Sequence, residues 1–228
     1  MSRRVVTRTA RGEETRLRIL QAAIAEFAQK GLDGARVDEI AARAGANKRM
    51  IYAYFGGKEE LWLAALESVY AAMRAEEGRL AVDHLAPEEG IAQLVRFKLR
   101  YTAAHPEVVA LLNSENLHRA RFLRRSSLVP SLYSPIIATL RTLLARGAAE
   151  GRLRDDVDPV QLYISITALS HFYLANAHTL SVIFGRDLLA ADAVAAREQH
   201  AVAVILGYLR DRRAAAAGPG IDHTAAPR

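Results

Sequence analysis

Cysteine is absent from the 228 residues, which excludes a disulfide framework and every thiolate metal site. Strand formers nowhere alternate with polar residues over a useful length, while alanine, leucine and arginine dominate, so helix is expected throughout. There is no glycine-rich phosphate loop, no His/Glu set at metal-ligand spacing and no nucleophile in a recognisable context. An enzyme, a resident cofactor and a bound metal are therefore not expected. The first twelve residues are basic but carry no apolar run, so no signal peptide is read and a soluble, cytoplasmic protein is expected. Asp, Glu, Lys and Arg are missing from Val160 to Gly185, a stretch long enough to span a bilayer. It nevertheless holds Gln161, Ser165, Thr167, Ser170, His171, Asn176, His178, Thr179 and Ser181. A helix buried between protein surfaces fits that composition better than a membrane span.

What is present concentrates in Val37–Glu60, VDEIAARAGANKRMIYAYFGGKEE. Ile40, Ala41 and Ala44 recur at helical spacing and Gly45 breaks the pattern. Asn47 can cap a second helix from Lys48 to Phe55, and Lys58 opens a third. A short glycine-bearing turn lets two helices cross steeply, so that the second can lie in a major groove. Any helical hairpin shares that much. The aromatic set Tyr52, Tyr54 and Phe55, followed at once by Lys58, is more particular.

With these residues the segment from about Thr15 to Leu66 resembles the DNA-binding domain of the TetR family of bacterial one-component regulators. Ile19, Ala22, Ala23 and Phe27 match the family's apolar first helix and Gly31 its stop. Ile40, Ala41, Ala44 and Gly45 match the second helix and turn. Asn47, Lys48, Ile51, Tyr52, Tyr54 and Phe55 match the recognition helix, and Lys58 the start of the fourth. The motifs cover about a quarter of the chain; the remainder agrees in length and helical character. The resemblance implies a homodimer acting on double-stranded DNA. The chain departs from the pattern at Arg36, where Ser or Thr usually caps the second helix, and at Gly56-Gly57 in place of a commoner Pro-Ser pair. It departs again at Arg49, Met50 and Ala53, so an operator sequence cannot be carried over.

Charge agrees with a nucleic-acid partner. Residues 1–60 hold twelve Lys or Arg against eight Asp or Glu, giving net +4 of the chain's total of +6. The bias is strongest at the start, where a loose basic arm over residues 1–12 could follow phosphates or enter a minor groove. Within the domain of residues 13–57, Leu17, Leu20, Ala23, Ile24 and Phe27 are expected on the packed face of the first helix. Val37, Ile40 and Ala41 should meet it, with Ile51 and Phe55 pointing inward from the third helix. Lys48, Arg49, Met50, Tyr52 and Ala53 are then left outward. Lys48 and Arg49 suit guanine or phosphate, Met50 and Ala53 a thymine methyl. Tyr52 and Tyr54 can donate to phosphate oxygens, with Lys58 adding charge at a helix start. Arg36 and Asn47 complete the expected DNA-binding set.

Punctuation divides the rest. One long helix is expected from Lys58 to about Leu80, another from Pro87 to His105, and a third from Glu107 to about Leu123. Ser134-Pro135 should open a helix to Glu150, Asp158-Pro159 the uncharged helix ending at Gly185, and Asp187 a last helix to Arg213. Residues 214–228 are expected to form a disordered tail. Residues 58–213 are thus expected to form a helical ligand-binding and dimerisation domain behind the helix-turn-helix. A helix apolar nearly all round needs cover, and a second copy would supply it through a four-helix bundle. Leu189, Val194, Val202, Ile205, Leu206 and Leu209 are the expected seam, with ordinary intrachain core as the alternative. A mostly apolar effector cavity is expected between the middle helices. Its candidates are Phe97, Tyr101, Asn113, Asn116, Tyr133, Tyr163, Thr167 and His171. His171 and His178 stand about 10 Å apart along one helix, too far to share a metal ion. The function expected is a ligand-responsive regulator, a repressor that releases its operator when a small-molecule effector binds. The alternative is an all-helical small-molecule-binding protein whose helix-turn-helix is only structural.

Overall fold

A computed structural model of the chain describes residues 2–210. The described residues form ten α-helices and two 3-10 turns, with a single isolated bridge, Leu153 to Arg210, as their only extended pairing. The helices are α1 Ser2–Gly34, α2 Val37–Arg43, α3 Lys48–Phe55, α4 Lys58–Gly78 and α5 Pro87–Ala104. They continue with α6 Pro106–Leu117, α7 Leu128–Ala149, α8 Pro159–Ala175, α9 Ala177–Phe184 and α10 Ala191–Leu209. The expected tail, residues 214–228, lies outside the described residues.

One apolar cluster holds α1 to α3 together and extends beyond them. Ile19, Ala23, Phe27, Ile40, Ile51, Leu61, Trp62, Ala65 and Leu66 are sealed in it, and so are Val108, Leu111 and Phe122. The helix-turn-helix unit is therefore not closed off at residue 57, because α6 covers the face of α1 that α2 and α3 leave bare. Trp62 meets Phe27 edge-on, ring centroids 5.0 Å apart, at the centre of this joint. A second cluster joins α5, α7, α8 and α10 through Ile91, Leu94, Val95, Leu140, Leu143, Leu162, Ile166, Ile205 and Leu209. α7 is the one helix among the described residues long and apolar enough to cross a membrane. Its Ile136, Leu140, Leu143 and Leu144 are buried in this bundle instead.

Several boundaries differ from expectation for local reasons. α1 starts at Ser2, so the backbone of the arm read as loose is helical, with no proline before Gly31 to stop it. Gly31 breaks the helix as expected, at φ +68°. Leu17 is 49% exposed rather than packed, because the buried stripe passes through Ile19, Leu20, Ala22 and Ala23. α6 ends at Leu117, not near Leu123, and the chain reverses through Arg119 and Ala120, both at φ +57°. Such a conformation costs energy away from glycine. Glu115 offsets it by accepting the N–H groups of Phe122 (2.9 Å) and Leu123 (2.8 Å). α7 begins at Leu128 and runs through Pro135. Pro130 falls in the first turn, where an N–H has no partner to lose. The uncharged stretch is two helices, broken at Asn176, whose Nδ2 donates to the Phe172 carbonyl at 2.9 Å and competes with the backbone. Neither piece, at 17 and 8 residues, reaches the about 20 residues that a membrane span usually takes.

Candidate functional site

Asn47 determines where α3 starts. Its backbone is extended and its side chain accepts the Met50 N–H at 3.1 Å, satisfying one of the free donors of a short helix. Gly45, at φ +58°, turns the chain from α2 into that cap. Ile51 is fully buried beneath, and Phe55, one turn on, packs against the same cluster with the Arg16 guanidinium 5.2 Å above its ring. Burying these two rotates the rest of α3 outward. Lys48, Arg49, Tyr52 and Ala53 are exposed, Tyr52 by 48%.

The remaining expected DNA contacts are placed less simply. Met50 is half-buried and packs against the core, so it is not a free reader. Tyr54 leans toward α1, where a Cβ on Gly12 would sit 3.4 Å from its hydroxyl. Lys58 Nζ donates to the Asp33 carbonyl at 3.2 Å and so ties α4 to the end of α1. Lys48 pairs with Asp38 of α2 at 3.1 Å, both groups about half exposed; such a pair is worth little and exchanges readily for a phosphate. Arg36 precedes α2 in an extended conformation, exposed and making no side-chain cap. Arg49 has no side-chain partner among the described residues, which leaves its five donors free.

A cavity of about 370 Å³ lies between α4, α5 and α7. Ala71, Ala75 and Gly78 supply small side chains along α4, facing Leu94, Leu132 and Ile136, and exposed Ser131 and Pro135 stand at its rim. Arg74 and Glu77 line it as well. In an adjoining recess sit Lys98 and Tyr163. Arg74 and Glu77 form an ion pair, and Arg74 Nη2 and Lys98 Nζ both donate to the Tyr163 hydroxyl at 3.0 Å. Burial pushes the Tyr163 phenol up, but Lys98 and Arg74 outweigh it and leave its pKa below the ordinary value. Burial raises the Glu77 carboxyl. It also raises the Tyr133 phenol, whose ring meets Tyr163 edge-on at 5.6 Å.

Of the eight residues expected around an effector, Tyr163 alone lines this space; Phe97, Tyr101, Asn113, Asn116, Tyr133, Thr167 and His171 are not on its walls. Tyr133 stands just behind, 5.8 Å from Tyr70 and packed on Arg74. Phe97 and Tyr101 meet in a tilted arrangement, ring centroids 5.4 Å apart. Asn116 is exposed and bonds its own helix at Leu112. His171 donates from Nε2 to Asn113 Oδ1 at 3.0 Å, linking α8 to α6. Burial, then Lys98, lowers the His171 pKa, which keeps the ring neutral. Thr167 has a buried hydroxyl with no partner among the described residues. Sequence reasoning missed Arg74 and Glu77, which read as ordinary solvated charges at (i, i+3) on a long helix. The one signal available was the run of small residues Ala71, Ala75 and Gly78 on the same face.

The expected seam also divides. Ile205 and Leu209 are intrachain core, 2% and 0% exposed, because α10 packs them on α5 and α8. Val202 is half-buried on the same cluster, Val194 and Leu206 are half-buried, and Leu189 is 44% exposed. Besides Leu189, the apolar residues left in solvent in this half of the chain include Ile164 and Phe172 on α8, Val182, Ile183 and Phe184 on α9, and Val204 and Tyr208 on α10.

Comparison with known proteins decides what this arrangement is. A signature described as bacterial regulatory proteins, tetR family, matches residues 19–65. A second, described as tetracyclin repressor-like, C-terminal domain, matches residues 87–205. The chain belongs to the TetR family. Among its TetR-family relatives, the HTH-type transcriptional repressor NicS of Pseudomonas putida is 37% identical over 187 residues, covering 82% of this chain and 88% of the relative. The HTH-type transcriptional regulator RutR of Escherichia coli K12 is 30% identical over 170 residues, covering 75% and 78%. A TetR regulator from Chloroflexus aurantiacus superposes with a TM-score of 0.65 at 24% identity, over 88% of this chain and 98% of that one. The ketosteroid regulator KstR2 of Mycobacterium tuberculosis does so at 0.62 and 23%, over 85% and 94%. These two structures share the fold. The curated relatives are transcriptional regulators rather than enzymes, and this chain is a DNA-binding transcriptional regulator.

Proposed function

We propose that the protein is a repressor that binds a palindromic operator as a homodimer and releases it when a small molecule fills the cavity between α4, α5 and α7. The observation that carries this reading is the course of α4. It begins at Lys58, anchored to the end of α1, and runs unbroken to the cavity wall at Arg74 and Glu77. The rise from Lys58 to Arg74 is about 24 Å. On the way Trp62 Nε1 donates to the buried Glu115 of α6 at 2.8 Å. A displacement of α4 at the cavity is thus felt where α3 is held.

The outward set on α3 suits the opposite end of the device. Lys48 and Arg49 supply cations, Tyr52 a rigid donor and Ala53 a small apolar contact, on a helix short enough to enter a major groove. The solvent-facing apolar residues of α8, α9 and α10 support pairing of two copies, since contiguous patches of this kind mark association surfaces. A two-fold axis there would present two recognition helices, which a palindrome requires at roughly 34–36 Å. A gel shift on DNA flanking the gene tests the proposal. Saturable binding that weakens steeply with salt, and is lost in Lys48→Ala and Tyr52→Ala, is expected. Binding that is absent, or indifferent to both substitutions, would overturn it.

A further inference from the structure

We infer that the cavity between α4, α5 and α7 selects a small organic carboxylate, whose anionic head settles on Arg74 and balances the surplus positive charge shared with Lys98. The inference rests on reading this cavity as the effector site, and it adds the chemistry of the effector.

The charge count carries it. Arg74 is 9% exposed, Lys98 4% and Glu77 7%, so two cations and one carboxylate are withdrawn from water in one cluster. Glu77 is paired with Arg74. Lys98 Nζ has only neutral partners, the Tyr163 hydroxyl at 3.0 Å and Met73 Sδ at 3.3 Å. Glu115, another buried carboxylate of the region, is engaged by Trp62 and by the backbone N–H groups of Phe122 and Leu123. His171 is held neutral by burial and by Lys98 itself, so it contributes no charge of either sign. A buried cation without a counter-charge is costly, and proteins accept that cost where a ligand supplies the missing sign.

The geometry indicates where that sign enters. Arg74 lines the cavity, and while Nη1 and Nη2 are used by Glu77 and Tyr163, its buried Nε has no hydrogen-bond partner. The guanidinium carbon lies over the Tyr133 and Tyr163 rings, 5.0 and 5.5 Å from their centroids, which restrains the group before any ligand arrives. The depressed Tyr163 phenol reports the same positive field. One unbalanced charge calls for a monoanion, and the Glu77 carboxylate beside it disfavours a dianion such as phosphate. The rest of the wall is mostly apolar, with Ala71, Ala75, Gly78, Leu94, Leu132 and Ile136, and asks for a hydrocarbon or ring body; its polar members are Thr139 and the exposed Asp83 and Ser131, whose groups stand in solvent. At about 370 Å³ the space lies near the small end for ligand pockets.

The test uses the full-length protein and matched probes: benzoate with benzamide, phenylacetate with phenylacetamide, hexanoate with hexanamide, and inorganic phosphate. Thermal shift and calorimetry should show at least one acid binding while its amide and phosphate do not. Lys98→Met should weaken that acid roughly 10- to 100-fold, the range for a charge-assisted contact, and should raise the melting temperature of the unliganded protein by removing the unbalanced charge. No acid binding, amides equal to acids, or an unliganded Lys98→Met that melts lower than wild type would each overturn the inference. A gel shift run in parallel separates the two levels. If a neutral amide releases bound DNA, the regulator reading stands and the carboxylate inference falls; if no DNA is bound at all, the regulator reading itself fails.

Discussion

The joint between Trp62 and Glu115 should behave as one energetic unit. Glu115, 4% exposed on α6, accepts three N–H groups: Trp62 Nε1 of α4 at 2.8 Å on one oxygen, Phe122 and Leu123 on the other. Glu115→Ala would strand three buried donors at about 1–3 kcal/mol each, a loss comparable to a whole domain's stability and too blunt to interpret. Glu115→Gln is finer. Its remaining oxygen keeps the two backbone N–H groups, while its amide donor confronts the Trp62 donor, so about 1.5–3 kcal/mol should be lost. Trp62→Phe removes the opposing donor and leaves one carboxylate oxygen short of a partner. In the double variant the donor clash is gone, and the two losses should overlap by about 1–3 kcal/mol. Urea unfolding followed by circular dichroism measures all four corners of the cycle, a necessary choice because Trp62 is the chain's single tryptophan. Additivity within about 0.5 kcal/mol, or a Glu115→Gln variant as stable as wild type, would refute the coupling.

Three further outcomes follow from the same geometry. Asn47→Ala removes the acceptor of the Met50 N–H and should cost about 1 kcal/mol, seen as a drop of roughly 2–4 °C in melting temperature. His171 has a lowered pKa in the folded state, so the unfolded chain takes up its proton first as pH falls below about 6.5. Stability should therefore decline on acidification until the folded ring also titrates, and His171→Gln should lose that component in melts at pH 7 and pH 5. Phe172→Glu alters a side chain already 60% exposed; it should leave the fold intact and yield a monomer of weakened DNA affinity by light scattering and gel shift. A Phe172→Glu dimer would move the pairing face elsewhere.

The helix-turn-helix was legible in the sequence because its determinants are local. A glycine at positive φ, an asparagine cap and the apolar pair Ile51 and Phe55 one turn apart specify α2, the turn and α3 whatever packs behind them. The first-turn prolines of α5 and α8, and the Asp158 cap whose side chain accepts the Val160 and Gln161 N–H groups, marked helix starts for the same reason. What only the tertiary structure decided is which face of a uniformly apolar helix turns inward. Ile205 and Leu209 go to the intrachain core while Phe172 and Ile183 remain in solvent, a choice set by the placement of α5 and α10, not by periodicity. Arg74, Lys98 and Tyr163 are 24 to 89 residues apart in sequence and meet at 3.0 Å, since burial in a bundle brings together charges whose separate surroundings in the chain give no sign of it. Local backbone chemistry wrote the DNA-reading end of this protein, and long-range packing made the cavity at the other.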